Sequence, residues 1–219
     1  MAAILHDPKE LTFRQTCGGS ILTTTAILSA ASCFVNQSRP NPASQYRIRV
    51  GSDQPNAGGS VHAVRLITLH PAYDYRTKSA DVAVLRVTTL AYSLTVQPVT
   101  IAGINYNVSD SDTLFVLGWG QNQSSGLNNT LRYASQNTIS QTYCTAVLGY
   151  EGVQVTEDML CTRRTSGEFC QGDYGGPVIH ASNSVQVGVA SYSYQCGVKR
   201  YPSLSAKVAY HAVWIAYCG

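Results

Sequence analysis

The sequence predicts an all-β fold of the sandwich or barrel type, closed by one helix at its C-terminal end. Short stretches rich in β-branched and other apolar residues are separated by turns of Gly, Pro, Asn and Ser, as is typical of strands. These stretches are SILTTTAIL, QYRIRVGS, VHAVRLITLH, DVAVLRV, TLFVLGWG, VQVGVASYSY and SLSAKVAY. Because no helical pattern intervenes between them, we expect antiparallel pairing.

The closing segment KVAYHAVWIAYCG departs from this strand pattern. Its apolar residues Val208, Val213, Trp214 and Tyr217 recur at helical spacing, which predicts one amphipathic helix. Near the middle of the chain, the segment around 97–112 is the longest stretch with little periodicity. We therefore expect that segment to join two halves.

The composition indicates a globular protein with few charges. Of its 219 residues, 44% are hydrophobic, which is ample for a buried core, and 12% are charged. The net charge of +3 is spread along the chain, which argues against a nucleic-acid partner. The adjacent basic pairs Arg163–Arg164 and Lys199–Arg200 leave a sulfated polysaccharide or an acidic surface open as a partner. No apolar run approaches the roughly 18 residues of a membrane-spanning helix.

The cysteines predict an oxidising compartment, and hence a secreted, extracellular protein. They number seven and do not fall in the paired spacings of a zinc site, so we expect no metal and no cofactor. Four Asn-X-Ser/Thr sequons agree with a secreted glycoprotein. They begin at Asn36, Asn107, Asn122 and Asn128. The opening segment MAAILHDPKE lacks the pattern of a signal peptide, so we expect a mature or trimmed chain.

Several motifs, in their order and spacing, resemble those of the trypsin/chymotrypsin-like serine proteases. They are CGGSIL, ILSAASCF, HPAYDY followed by DVAVL, VLGWG, CQGDYGGP, VGVASYSYQCGV, YPSLSAKV and a terminal VWI. The similarity covers nearly the whole chain, and the composition resembles that of insect digestive types. It implies two packed six-stranded antiparallel β-barrels with a substrate cleft between them and a C-terminal α-helix. The implied parts are an N-terminal barrel (1–96), a linker (97–112), a C-terminal barrel (113–205) and a closing helix with a tail (206–219).

The catalytic positions implied by this resemblance are degenerate. Proteases of this type need a serine nucleophile, an imidazole base and a carboxylate that orients the base. Where the family carries its base in AAHC, this chain has Ser32, and where it carries its nucleophile in GDSGGP, this chain has Tyr174. Asp81 in DVAVL matches the carboxylate. Because loss of the base or the nucleophile alone costs about 10⁶ in turnover, we expect no useful peptide hydrolysis.

Two fates of the empty base position stay open at this point. A buried carboxylate without a donor is costly, so the hydroxyl of Tyr174, the hydroxyl of Ser32 or a water between them could donate to Asp81 and plug the site. Alternatively, the Tyr174 ring lies in the cleft or the specificity pocket and Asp81 is hydrated.

The loop before Tyr174 keeps the glycines of an oxyanion loop. The resemblance implies that the N–H groups of Gly172 and Tyr174 point at one spot, and that Asp173 pairs with a released N-terminal amine. The Ile-Val-Gly-Gly start that supplies this amine in the family is absent from the sequence. We therefore expect either a missing N-terminal segment or a zymogen-like loop.

The resemblance also places a specificity pocket with altered walls. Its floor position is Glu168, where trypsin-like enzymes carry Asp, and its walls are formed by four residues. They are Ser191, Tyr192, Ser193 and Ser203. Serines in place of the wall glycines narrow the pocket, so a long basic side chain is not expected to enter. A vestigial pocket and a pocket for a small polar or flat ligand both stay open.

The resemblance pairs six of the cysteines. The implied disulfides are Cys17–Cys33, Cys144–Cys161 and Cys170–Cys196, which leaves Cys218 unpaired. An odd cysteine near the end of a secreted chain indicates either a disulfide to another chain, as in a dimer or with a different partner, or a free thiol.

Three classes of function follow from these observations. The first is a secreted, proteolytically inactive homologue that acts by binding, as a cofactor or decoy in extracellular proteolysis, immunity or digestion. The second is a non-proteolytic enzyme of the lyase or isomerase type that uses the cleft on a small molecule. The third is a glycan, heparin-like or microbial-surface binding protein. An exposed or disulfide-linked surface, a small pocket near Tyr174, and clustering of the two basic pairs would respectively discriminate them.

Overall fold

The computed structural model confirms the predicted all-β fold with two closed antiparallel barrels of six strands each. It describes residues 1–36, 39–122, 126–127, 129–167, 170–196, 198 and 200–219. The strands of the N-terminal half are β1 (Ala2–His6), β2 (Arg14–Ile21), β3 (Ala26–Ser29), β4 (Val35–Asn36), β5 (Arg39–Pro40), β6 (Tyr46–Val50), β7 (Ser60–Leu69) and β8 (Ala83–Val87). The first barrel closes in the order β1-β2-β3-β8-β7-β6, while β4 and β5 form a separate two-stranded sheet.

The second barrel is built from the C-terminal half. Its strands and the short pair beside them are β9 (Thr113–Gly118), β10 (Gln121–Asn122), β11 (Gly126–Leu127), β12 (Arg132–Thr138), β13 (Met159–Ser166), β14 (Pro177–His180), β15 (Gln186–Ser193) and β16 (Ser203–Lys207). The barrel order is β12-β13-β16-β15-β14-β9, and β10 pairs with β11 outside it. Two short 3₁₀ turns, Ala31–Phe34 and Ala43–Gln45, interrupt the first half.

Helix α1 (Gln141–Tyr150) is an element that strand-based reasoning missed. The Ser140 side chain caps it by accepting a hydrogen bond from the Tyr143 N–H. Only Cys144 and Leu148, one turn apart, are buried in this helix. Two apolar positions are too few for a visible period, so the helix depends on the packing and the disulfide of Cys144 rather than on an apolar face.

Helix α2 (Val208–Cys218) forms where the sequence predicts it, but two of the four residues named for its apolar face do not point inward, while Val208 and Trp214 contact the core. Val208 is buried, whereas Val213 is 70% and Tyr217 88% exposed. The inward face of the helix is formed by Ala209, His211, Ala212 and Ile215 together with Val208. Apolar residues occur on both sides of α2, so spacing alone could not choose between them. Among the described residues, no helix is long and apolar enough to cross a membrane.

The cores of the two barrels meet at the cleft. One cluster fills the first barrel, and another joins residues such as Leu28 and Val84 from the first barrel to Val116 and Val189 from the second. The Tyr174 side chain packs against both clusters. The candidate site therefore lies on the seam between the barrels, where each barrel contributes side chains.

Candidate functional site

Asp81 lies just before β8 and is fully buried. Its Oδ1 accepts a hydrogen bond from the Ser32 N–H at 2.7 Å, and its Oδ2 accepts one from the Ser32 hydroxyl at 2.8 Å. The Ser191 hydroxyl also donates to Oδ2, at 2.5 Å, from β15 of the other barrel. Burial raises the pKa of Asp81, while these three donors oppose the rise. The carboxylate is thus held by donors from both barrels.

The two hydroxyls that could fill the base position behave differently. The Ser32 hydroxyl donates directly to Asp81, as one branch of the plug hypothesis expects. The Tyr174 hydroxyl instead accepts a hydrogen bond from the backbone N–H of Ser193. Burial raises the pKa of the Tyr174 phenol, partly offset by that N–H. The tyrosine ring therefore lies between the barrels against the wall strand β15.

The five histidines of the chain all lie among the described residues, and their contacts are elsewhere. No hydrogen bond of the described residues joins any of them to Asp81, Ser32 or Tyr174. Their partners are Tyr46 for His6, Ser60 for His62, Trp214 and His211 for His70, Tyr106 for His180, and Asp158 for His211. An imidazole base is therefore not in place beside Asp81.

Asp173 is a second buried carboxylate in the loop that precedes β14. It accepts backbone hydrogen bonds from Gly120 at 2.7 Å and Cys170 at 3.0 Å. No ion pair of the described residues includes it. Burial raises the pKa of Asp173 to about 6, against the pull of the two N–H groups. A Cβ at Gly120 would sit 2.1 Å from the carboxylate, so only glycine fits there.

Gln15 is a functional neighbour that the sequence analysis missed. Its side-chain N–H donates across the barrel seam to the carbonyl of Gly172 at 2.7 Å, and to the carbonyl of Cys17 at 3.1 Å. Gly172 has a φ of 99°, which favours glycine. The strand alternation that buries Cys17 buries Gln15 as well, so an amide on an inward-facing position was the available signal.

The walls of the implied specificity pocket are only partly brought together. The Ser203 hydroxyl lies 3.5 Å from the Ser193 hydroxyl, on neighbouring strands. Tyr192 lines a cavity of about 340 Å³ together with Arg76, Lys78 and Leu204, and none of the three wall serines is among its lining residues. The floor position Glu168 lies outside the described residues. The loss of a slot for long basic side chains therefore stays a prediction.

All three implied disulfides are present: Cys17–Cys33, Cys144–Cys161 and Cys170–Cys196. Cys218 is a free cysteine, half-buried against the core shared by the barrels. Burial raises the pKa of its thiol. The cysteine at the end of α2 is therefore less accessible than its position in the chain suggested.

The structure describes only some of the surface residues that were named from the sequence. Asn36 and Asn107 are exposed, while the Asn122 side chain and Asn128 lie outside the described part. Lys199 also lies outside it. The guanidinium of Arg163 stacks over Tyr143 at 4.8 Å, and that of Arg200 over Tyr201 at 4.5 Å. Among the described residues, no group of three or more His, Cys, Asp or Glu side chains is placed to hold a metal ion.

Comparison with known proteins identifies the fold and its lineage. A family model described as Trypsin matches residues 5–215. The chain belongs to the trypsin family. It is 39% identical to Trypsin CFT-1 of Choristoneura fumiferana, over 98% of this chain and 83% of that protein. It is 37% identical to Trypsin, alkaline B of Manduca sexta, over 98% and 84%, and 34% identical to Trypsin alpha of Drosophila melanogaster, over 91% and 76%.

Membership of the trypsin family confirms the resemblance on which the site residues were chosen. The relatives carry the names of trypsins, and those names say nothing about Ser32 or Tyr174 in this chain. What this trypsin-family member does with an altered cleft follows from its own contacts.

Proposed function

We propose that this trypsin-family chain is a secreted protein without protease activity that acts by binding, as a cofactor or decoy in extracellular proteolysis, immunity or digestion. The observation that carries the proposal is the hydrogen bond from the Ser32 hydroxyl to Asp81. In the family mechanism this carboxylate orients an imidazole. Here its partners are two hydroxyls and one backbone N–H, and none of these is a base near neutral pH.

The proton that a nucleophile must lose therefore has no acceptor. Tyr174 would have to react as a phenolate, and burial makes that form scarcer by raising the pKa of Tyr174. Ser32 is committed as a donor to Asp81. Loss of the nucleophile and the base removes about 10⁶ in turnover in a comparable triad, which leaves too little for useful peptide hydrolysis.

Tyr174 also restricts what the cleft can bind. A peptide that pairs with the wall strand β15 needs backbone groups of that strand, and the Ser193 N–H is already used by the tyrosine hydroxyl. A main-chain ligand would have to displace the ring from its packing between the barrels. We therefore expect partners to bind at the margins of the cleft or on the outer surface.

The disulfides and the exposed sequons support secretion. Three disulfides are stable in oxidising compartments and rare in reducing ones. The sequons at Asn36 and Asn107 expose their asparagines, as glycosylation requires. Glycan occupancy at these two positions, and at Asn122 and Asn128, stays a prediction that mass spectrometry of natural material can check.

The catalytic half of the proposal is tested with a serine-directed fluorophosphonate and a mixed library of peptide substrates. The wild-type chain, Ser32→His, Tyr174→Ser and the double variant are compared, with thermal unfolding to confirm that each is folded. We expect no labelling and no hydrolysis in the wild type and in either single variant. Labelling at position 174 in the double variant would show that the base and nucleophile are what the chain lacks. Stoichiometric labelling of the wild type would refute the proposal.

The binding half is tested by size-exclusion chromatography without reductant. The chain isolated from its natural source should elute in a complex larger than its own 23.6 kDa, while the recombinant chain elutes alone. Adding reductant to the natural sample distinguishes a partner held through Cys218 from a noncovalent one. Elution of the natural chain as a monomer under both conditions would contradict a stable binding role.

A further inference from the structure

A second cavity lies in the C-terminal half, formed between the segment that joins the barrels and the end of the second barrel. It has a volume of about 180 Å³. Residues from the joining segment, β12, β13, β15 and the start of α2 line it. None of Ser32, Asp81, Tyr174 or Ser193 is among them, so the cavity is independent of the cleft and of the function proposed for it.

The lining of this cavity has an apolar part, here called the floor, and a polar part that includes Asn107, Thr138 and Gln141. Met159 and Leu160 from β13, Val187 from β15 and Ala209 from α2 all contribute to the floor, and each is at most 8% exposed. An apolar cavity of about 150 Å³ is large enough for a benzene ring, so this one accommodates an aliphatic or aromatic group of about four to seven carbons. Such a group gains from leaving water because the buried floor offers it dispersion contacts.

The lining contains two charged residues of opposite sign, Lys207 and Asp110. Lys207 is anchored, because its backbone N–H donates to Asp158 O at 2.7 Å and its ammonium donates to Glu157 O at 3.0 Å. An ammonium carries three N–H donors, so two are left for a ligand. Asp110 is exposed, and no ion pair among the described residues joins it to Lys207 or to any other cation.

We infer that this cavity binds a free apolar α-amino acid, of which leucine is the probe. The side chain enters the apolar floor, the α-carboxylate accepts from the Lys207 ammonium, and the α-ammonium donates to Asp110. A zwitterion places an opposite charge beside each of these two residues. A simple carboxylate would be attracted by the Lys207 ammonium but repelled by the Asp110 carboxylate. A charge-assisted hydrogen bond at each end supplies orientation, and the floor supplies selection for an apolar side chain.

Isothermal titration calorimetry with four probes tests this inference. Leucine should bind with a Kd of about 1 mM or tighter, in the range for small ligands. Leucinamide lacks the carboxylate and represents the N-terminal residue of a peptide, whereas N-acetylleucine lacks the ammonium and represents a C-terminal residue. Glycine lacks the side chain. Each of these three should bind about tenfold more weakly or worse. Equal affinity for leucine and either blocked form would overturn the assignment, as would no binding of leucine.

Substitutions in the lining test whether leucine binds in this cavity or elsewhere on the chain. Lys207→Met and Asp110→Asn should each weaken leucine about tenfold or more, because each removes one charged contact. Lys78→Met and Asp53→Asn are the matched controls and should leave the affinity unchanged. An unchanged affinity in both cavity variants would refute the inference.

The Ala209→Leu variant tests the floor, because the larger side chain fills the cavity from α2. It should abolish leucine binding. If Ala209→Leu lowers the unfolding temperature, loss of leucine binding in that variant could come from unfolding. The Lys207→Met and Asp110→Asn variants then decide the test, because their side chains do not pack in the core. Binding of leucine to a folded Ala209→Leu variant would place the ligand elsewhere and overturn the inference.

Discussion

Asp173→Asn is the substitution whose effect on stability the structure predicts most directly. The carboxylate of Asp173 is buried and meets two backbone N–H groups but no described cation. Burial therefore raises its pKa to about 6, from 3.8 in an unfolded chain. Between these two pH values the folded protein keeps the proton on Asp173, while the unfolded chain has released it. Its contribution to the free energy of unfolding consequently rises as the pH falls from about 6 towards 4.

The size of this contribution follows from the two pKa values. A difference of one pKa unit corresponds to about 1.36 kcal/mol, so ionisation of Asp173 costs the folded state about 3 kcal/mol over its whole titration. Between pH 4 and pH 7 the cost is about 2 kcal/mol, because the carboxyl of the unfolded chain is already more than half ionised at pH 4. Asparagine cannot ionise, and it retains one oxygen acceptor for Gly120 or Cys170. The stability of Asp173→Asn relative to the wild type should thus improve by about 2 kcal/mol between pH 4 and pH 7.

Urea unfolding followed by tryptophan fluorescence, with disulfides intact, measures both proteins at steps of half a pH unit between 4 and 8. The exposed Asp53→Asn variant is the control, and its stability difference from wild type should stay within about 0.5 kcal/mol over the same range. Wild-type and Asp173→Asn curves that run parallel from pH 4 to pH 7 would refute the reasoning, because they would mean that Asp173 is not protonated in that range.

Two further predictions concern Ser32 and Cys218. Ser32→Ala removes one donor from the buried Asp81 and should lower the free energy of unfolding by about 1–3 kcal/mol in a urea titration, whereas the exposed Ser109→Ala should change it by less than about 0.5 kcal/mol. Equal effects would mean that the Ser32 hydroxyl is not needed. Cys218 is half-buried with a raised thiol pKa, so iodoacetamide should alkylate it much more slowly in the native protein than in urea, as followed by mass spectrometry. Equal rates, or a dimer that reductant dissociates, would contradict this prediction.

Some contacts of the site could be read from sequence and others could not. The residues Ser32, Asp81 and Tyr174 stand in motifs of fixed spacing, so their positions in the family pattern were visible. The direction of each side chain was not. Ser32 lies in the short 3₁₀ turn Ala31–Phe34 and donates to Asp81, whereas the Tyr174 hydroxyl accepts from the N–H of Ser193. Which hydroxyl contacts which group depends on distances across the seam between two barrels.

The elements that escaped sequence reasoning share a cause. Helix α1 has two buried residues, Cys144 and Leu148, and so carries almost no periodic signal. Helix α2 has apolar residues on several sides, so its period predicted the helix but not that Val213 would face solvent. In both helices the buried face is chosen by what the barrel offers as a packing surface.

The sequence by itself determined the β-rich class and the closing helix and, through resemblance, the two barrels and the disulfide pairs. These are local or spacing properties, which the chain carries whether folded or not. The tertiary structure alone decided that Gln15 holds the carbonyl of Gly172, that Asp173 is buried with two N–H groups, and that Lys207 and Asp110 line one cavity. Those relations join residues far apart in the chain, because burial and charge depend on the packing of both barrels rather than on any one segment.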